Sequence, residues 1–326
     1  MSLMIDELIL LKKPTIIHRM ILHDLGYDGP ELSLEETFRF LNDHGVPFRN
    51  GTMTFEDIVR FTKEAGFDSL DLMDFHFEED EEYARKILED NGICVASFNI
   101  LTEFGGADTE EKFEKCLSLC RAKMKSASAI GCPVVMLMPT GYVPGKGITR
   151  EETFHHMVRG LKACVEYGKE LGITVCTETL ESPAVPLCSI GDMLRLFDAV
   201  PGLKYAHDTG NPMIMLEDPV SVYELFKGRM AVVHFKDLAF TEDKTRIMDS
   251  RGRYLMLCHS GEGIVDLKKH MKLLKRDNYK GSITIEGVRS GTDKLEAAKD
   301  ALRFFKELEK CYSAIDRSNR LTSGLT

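Results

Sequence analysis

The sequence predicts an α/β fold: a single (β/α)8 barrel with an elaborated N-terminal region and a long loop after its seventh strand. Three observations carry this expectation. From about residue 54, short apolar or β-branched runs alternate with longer 3.6-periodic stretches. That is the rhythm of parallel strands, buried on both faces and joined by crossover helices. Several helical stretches stop at a glycine directly before the next apolar run: Gly66 before Phe67, Gly92 before Ile93 and Gly172 before Ile173. A helix C-terminus that feeds a strand calls for such a residue. Finally, no G-x-G-x-x-G follows any early strand, which argues against an open, doubly wound sheet.

Strands are expected at 67–74, 93–101, 133–139, 173–178, 203–208, 230–237 and 282–288, with helices near 55–65, 80–91, 109–130, 150–171, 190–199, 219–228, 266–277 and 293–310. Seven strands leave a barrel open. The eighth is assigned to 15–22 (TIIHRMIL), so that 1–53 holds the first strand plus an insertion. Met1, Ser2 and Leu3, ahead of a second methionine, read as a cloning remnant and are set outside the assignment. Residues 236–265 are far longer than the usual βα connection and are expected to cover the barrel mouth; 309–326 read as a frayed polar tail. With no repeat beyond the β/α rhythm and no low-complexity linker, residues 1–326 are assigned to one domain.

Hydrophobic residues make up 43% and charged residues 29%, the balance of a soluble globular protein rather than a disordered or fibrous one. The formal net charge of −10 repels phosphate backbones, and no basic patch offsets it, so no nucleic-acid partner is expected. Nine cysteines, an odd number without a C-x-x-C pair, fit buried thiols in a reducing cytoplasm. No apolar run approaches ~18 residues, so no membrane span is expected, and the N-terminus lacks the pattern of a signal peptide.

Four consecutive late strands each end in a potential metal ligand. The fifth (ITVCTE) ends in Glu178 and the sixth (LKYAHD) in Asp208; the seventh (AVVHFKD) carries His234, and the eighth (SITIE) ends in Glu286. In a barrel the C-terminal strand ends converge on one mouth. Neighbouring strands lie ~4.8 Å apart, so one side chain from each can reach a common point. A lone acid at a strand end usually caps a helix or meets solvent. Four in succession, each closing an apolar run where an unpaired charge is costly, point to one divalent metal. Three carboxylates and an imidazole suit Mn²⁺, Mg²⁺ or Co²⁺ better than a structural zinc, with Zn²⁺ the remaining candidate.

The runs VCTETLESP, HDTGN, VVHFKD, GEGIVD and ITIEG, together with TFEDIVRFTKEAGFDSLDL, resemble the xylose isomerase-like TIM-barrel superfamily of sugar phosphate isomerases and epimerases. It includes ketose 3-epimerases, hydroxypyruvate isomerases and inosose dehydratases, with endonuclease IV enzymes as distant relatives. The resemblance covers residue 54 to about 308. It implies that Glu178, Asp208, His234 and Glu286 are the metal ligands, and that Glu178 and Glu286 are also the acid/base pair. The implied reaction is isomerisation or epimerisation of a small sugar or sugar phosphate. One carboxylate takes a proton beside a carbonyl, the metal stabilises the resulting enediolate, and another carboxylate on the opposite face returns the proton. Relatives are often dimers or tetramers, so a homo-oligomer is the matching expectation.

Further substrate contacts are proposed at His76, Asn99, Glu181, Asn211, Lys236 and His259. His76 and Asn99 end the second and third strands, as substrate contacts or helix caps. Glu181 binds substrate or caps a turn. Asn211 stands where several epimerases of the family have a second histidine, which departs from their D-x-x-H pattern. Lys236 and Asp237 follow His234, either touching substrate or forming a solvated pair. His259 and Glu262 belong to the HSGEG turn, whose glycines imply a tight backbone. His207, adjacent to Asp208, points to the opposite strand face and reads as packing. His155 and His156 read as surface residues. Arg246, Arg251 and Arg253 are read as solvated or as a phosphate-binding lid.

Three other activities are weighed. Inosose-type dehydration uses the same metal and proton abstraction. Endonuclease IV-like repair needs three zinc ions and more histidines than the strand ends supply. A non-catalytic sugar-binding barrel has no need of two opposed carboxylates.

Overall fold

A computed structural model of the chain describes residues 1–4, 29, 53–74, 77, 80–142, 145, 147–286 and 293–323. Eight parallel strands close a barrel: β1 (Ser2–Met4), β2 (Ser69–Met73), β3 (Cys94–Thr102), β4 (Val134–Pro139), β5 (Thr174–Thr177), β6 (Lys204–Asp208), β7 (Met230–Phe235) and β11 (Ser282–Ile285). Around them run α1 (Phe55–Ala65), α2 (Glu81–Asn91), α3 (Glu110–Ala129), α4 (Arg150–Leu171), α5 (Ile190–Ala199), α6 (Pro219–Phe226), α7 (Leu267–Arg276) and α8 (Lys294–Ser323). No described helix is long and apolar enough to cross a membrane.

The expected helices form because their ends are specified locally. Thr54 and Thr149 each open a helix with a reciprocal capping box, using Asp57 and Glu152. Asp80, Thr109, Ser189, Asp218 and Asp266 cap the starts of α2, α3, α5, α6 and α7. Gly66, Gly92 and Gly172 terminate α1, α2 and α4 with φ of 85°, 67° and 69°, the left-handed turn that sends each chain into its strand. Among the described residues of the polar tail, α8 continues to Ser323. It docks through Phe305, which stacks on Phe235 of β7 at 4.8 Å.

The first strand is a correction. Ser2–Met4, whose first two residues were set aside as part of a remnant, fills the last barrel position, pairing with β11 through Ser2–Thr284 and with β2 through Leu3–Leu70. Residues 15–22 lie outside the described residues. Three residues suffice because parallel neighbours on both sides supply the ladder, but so short a run carries no readable period.

The excursion after β7 also differs from expectation. It folds into a small antiparallel sheet of β8 (Leu238–Thr241), β10 (Tyr254–Leu257) and β9 (Ile247–Met248). It leans on the β6–α6 connection, where the Ser250 N–H donates to the Ile214 carbonyl at 2.8 Å. None of its described residues lines the cavity beside Glu178 and Glu286. Arg246 pairs with Asp243 at 2.9 Å, and Arg253 with Asp249 at 2.8 Å, so both are held within the excursion.

Outside the barrel, His207 packs as alternation implies. It is fully buried against Tyr223 and His270, with ring centroids 5.6 and 5.4 Å away. His270 is buried, its Nδ1 lies 2.9 Å from the Asp266 carbonyl, and Nε2 has no hydrogen-bond partner. Burial holds its pKa below the ordinary histidine value. The unfolded chain therefore takes up a proton near pH 6.5 that the folded chain resists. Stability should be complete above that pH and fall as the pH drops, by up to about 1.4 kcal/mol per unit for this group. Urea titrations between pH 7.5 and 5 should show that slope, and His270→Phe should reduce it, leaving the share of His207, whose pKa burial also lowers. An equal slope in the variant would assign the acid sensitivity elsewhere.

Candidate metal centre

Strand alternation builds the centre. Met136, Cys176, Ala206 and Val232 form a buried apolar cluster inside the barrel. Two residues further along their strands stand Met138, Glu178, Asp208 and His234, so the last three enter the mouth on the inward face. Glu286 follows β11 directly, its N–H donating to the Phe235 carbonyl at 3.1 Å. One ligand atom from each of Glu178, Asp208, His234 and Glu286 lies within 4.8 Å of all the others.

Four atoms face one another there without hydrogen-bond partners: Glu178 Oε2, Asp208 Oδ2, His234 Nδ1 and Glu286 Oε2, all buried. His234 Nδ1 comes within 2.9 Å of Glu286 and 3.4 Å of Glu178, but without hydrogen-bond alignment. Buried polar atoms are normally satisfied. One orphan from each of four residues, aimed at one point, is what a cation needs, and three hard oxygens with one imidazole nitrogen fit a divalent ion. The second oxygen of Asp208 is already engaged, accepting the Gly210 and Asn211 N–H groups at 2.7 and 2.6 Å. The aspartate is thereby fixed with its free oxygen inward.

Two charged residues complete the site. Asp71, buried in the middle of β2, lies behind the imidazole with Oδ2 3.3 Å from His234 Nε2, an ion-pair distance that, like those at Nδ1, lacks hydrogen-bond alignment. It is held by Asn99 Nδ2 at 2.7 Å and Thr284 Oγ1 at 2.8 Å. A carboxylate behind a histidine fixes the ring and directs the other nitrogen outward. Asp71→Asn should therefore weaken divalent-metal affinity about 10–100-fold, measured by calorimetry; unchanged affinity would show that packing alone orients His234. Lys236 is the other. The residue is 1% exposed, and its ammonium lies 2.5 Å from Glu286, 2.5 Å from Glu181, 3.4 Å from Asp208 and 3.1 Å from Asn211 Oδ1.

The electrostatics follow from this crowding. Burial pushes the Glu178 carboxyl up, with the Glu286 charge adding to it, and pushes Asp208 well up against the pull of Lys236. Burial acts the same way on Glu286, but Lys236 and His234 overcome it and hold that carboxyl below its ordinary range. Burial opposes the charge on Lys236, yet Asp208, Glu181 and Glu286 keep the ammonium protonated.

The other expected contacts are distributed unevenly. Glu181 and Lys236 pair at the mouth. Asn211 is buried, donating to the Thr179 carbonyl at 2.9 Å while accepting from Lys236, and so acts as a brace. Asn99 is fully buried beneath the mouth on Asp71. His259 is half-buried in its turn and does not line the cavity, and Glu262 is exposed. His76 lies outside the described residues. Asp237 is a clamp rather than a solvated partner: its carboxylate accepts the N–H groups of Leu238, Gly261, Gly263 and Val265 at 2.8–3.2 Å. A Cβ at Gly263 would overlap that carboxylate and the Leu238 carbonyl. His155 is exposed beside Glu151, as expected.

Fold and site together define a (β/α)8 barrel with a carboxylate–imidazole cluster of metal-binding type at its mouth. A family model described as xylose isomerase-like TIM barrel matches residues 59–308. The chain belongs to that family. It is 26% identical over 279 residues to an inosose dehydratase of Clostridium tetani, covering 80% of this chain and 92% of that protein. Among solved structures, it resembles the 3-keto-D-glucoside 4-epimerase of E. coli with a TM-score of 0.63 and 17% identity, covering 78% of this chain and 94% of that one. It also resembles the IOLI protein with a bound zinc atom, with a TM-score of 0.62 and 15% identity, over 77% of this chain and 91% of that one.

Proposed function

We propose that the protein is a divalent-metal-dependent isomerase or epimerase of a small sugar-like hydroxy ketone. The observation that carries this reading is the set of four inward, unpartnered ligand atoms, two of them on glutamates that can exchange protons with a substrate held between them. A bound cation, Mn²⁺ before Mg²⁺, Co²⁺ or Zn²⁺, supplies Lewis acidity to the substrate's carbonyl and hydroxyl oxygens. Glu286, held ionised beside Lys236, takes the proton from the carbon beside the carbonyl, and Glu178, whose carboxyl is pushed up by burial, returns one from the opposite face. Lys236 places a buried positive charge where negative charge develops on substrate oxygen. Asp71 and Asn211 keep His234 and Lys236 in place.

One observation favours a second reading, dehydration. A buried ammonium beside the acid/base pair can assist departure of a hydroxyl group, and the dehydratase relative covers most of the chain. The two are separated by incubating the Mn²⁺-loaded protein with ketoses, their phosphates and inososes in D₂O. Epimerisation or isomerisation should place deuterium on the substrate carbon without loss of water, whereas dehydration yields an enone-type product absorbing in the ultraviolet. A metal-loaded protein that turns over no member of any class would contradict both.

A further inference from the structure

A second cavity is enclosed by the β6–α6 connection, the excursion after β7 and the start of α7. It measures about 350 Å³, toward the small end of the ~300–1,000 Å³ typical of small-molecule sites. It shares no described lining residue with the cavity beside Glu178 and Glu286, so the proposed reaction does not account for it. One side of it is hydrocarbon. Leu216, Phe240 and Ile264 line it and are exposed, although each is large and apolar. Scattered singly, such residues are ordinary; three at one cavity mark a candidate binding surface. Leu255 and Val265, both buried, extend the same apolar lining.

The other side is acidic. Glu217, Asp218 and Asp266 line it, and their described hydrogen-bond partners are uncharged. Glu217 accepts the Ile190 N–H at 2.9 Å, Asp218 accepts the Ser221 N–H and hydroxyl at 3.1 and 2.7 Å, and Asp266 accepts the Lys269 N–H at 2.8 Å. The fourth acid, Asp249, is neutralised by Arg253 at 2.8 Å. Burial pushes the Glu217 carboxyl up, and the Asp192 charge adds to it, as expected where negative charge lacks a counter-ion. His270 stands in the same lining, 1% exposed. Its Nδ1 meets the Asp266 carbonyl and is therefore the donor nitrogen, which leaves Nε2 as an acceptor without a hydrogen-bond partner. Buried acceptors are normally satisfied, and whatever satisfies this one must bring a proton donor.

We propose that this cavity is a second ligand site, for a small organic ammonium ion whose body is an apolar ring. The N–H groups meet His270 Nε2 and the carboxylates, while the ring covers Leu216, Phe240 and Ile264. An organic anion would face three carboxylates and one guanidinium that is already paired. 2-Phenylethylamine, 2-phenylethanol and phenylacetate share a ring and differ in the charge of the head group. Each should be titrated calorimetrically into the full-length protein at about pH 7.5, where the amine is protonated and His270 is neutral. The amine should bind about fivefold more tightly than the alcohol, and phenylacetate should bind most weakly. Phe240→Ala, at a half-exposed position where folding is little disturbed, should weaken the amine about threefold. Asp266→Asn keeps a residue able to cap α7 and should narrow the amine's advantage over the alcohol.

Failure of the amine to bind would overturn the assignment, as would equal or tighter binding of the alcohol or of phenylacetate. So would amine binding that both Phe240→Ala and Asp266→Asn leave unchanged, which would place the amine elsewhere, at the acidic barrel mouth for instance. None of these outcomes bears on the metal centre, whose ligands lie outside this cavity.

Discussion

Glu178→Gln and Glu286→Gln should each lower turnover by about 10²–10⁴-fold on whichever substrate the wild type converts. Glutamine keeps the side-chain length and one carbonyl oxygen but cannot accept the substrate proton as a base. The carboxylates come from strand ends on either side of β6 and β7 and share one buried point with Asp208 and His234. Each loss should therefore appear in kcat, with substrate affinity retained in variants that remain metal-loaded. Deuterium uptake from D₂O should fall in parallel. His234→Ala should behave differently, losing metal affinity first, so that excess metal restores part of its activity. If both glutamine variants, loaded with metal, turned over at the wild-type rate, the proton-transfer assignment would be wrong and the cluster would be a metal site whose chemistry lies elsewhere.

Asp237→Ala should produce the largest loss of stability. The carboxylate is 2% exposed and accepts four backbone N–H groups. Those donors hold the turn after β10 against the end of β7. Removing the acceptor leaves them in a partly closed space where water reaches only some, at ~1–3 kcal/mol for each buried group left unpaired. A total of about 3 kcal/mol or more is expected in urea unfolding. Gly263→Ala should approach that value by another route, because its added methyl would force the same carboxylate aside. Since Lys236 directly precedes Asp237, both variants should also reduce activity in the fraction that remains folded. A change of less than about 0.5 kcal/mol in Asp237→Ala, the range of an ordinary surface substitution, would show that solvent replaces the carboxylate.

Much of the barrel can be read directly because its signals are local. Apolar runs, capping residues and glycine stops locate β2 to β7, β11 and the helices between them to within a few residues. The ligand cluster is legible for a related reason: a charged residue closing an apolar run is conspicuous, and barrel geometry brings such ends together. Ser2–Met4 was missed because three residues have no period, and its strand character comes entirely from the neighbours it pairs with. Asp71 was passed over although it lies within the apolar run SLDLM, where an unpaired charge would be costly. Lys236 was left open because lysine is ordinarily exposed, yet it stands two residues after His234 and so on the same strand face. The excursion after β7 has a length that sequence shows and a direction that only its contacts with the β6–α6 connection decide.

The central claim is that Glu178, Asp208, His234 and Glu286 hold one divalent ion at the barrel mouth. A crystal structure of the Mn²⁺-soaked protein, recorded at the manganese edge, tests it most directly. The expected result is a single anomalous peak per chain, within bonding distance of one atom from each of the four side chains, with His234 bound through Nδ1 while Nε2 stays toward Asp71. No peak at the mouth despite manganese in the crystal, or a peak ligated by other residues, would contradict it.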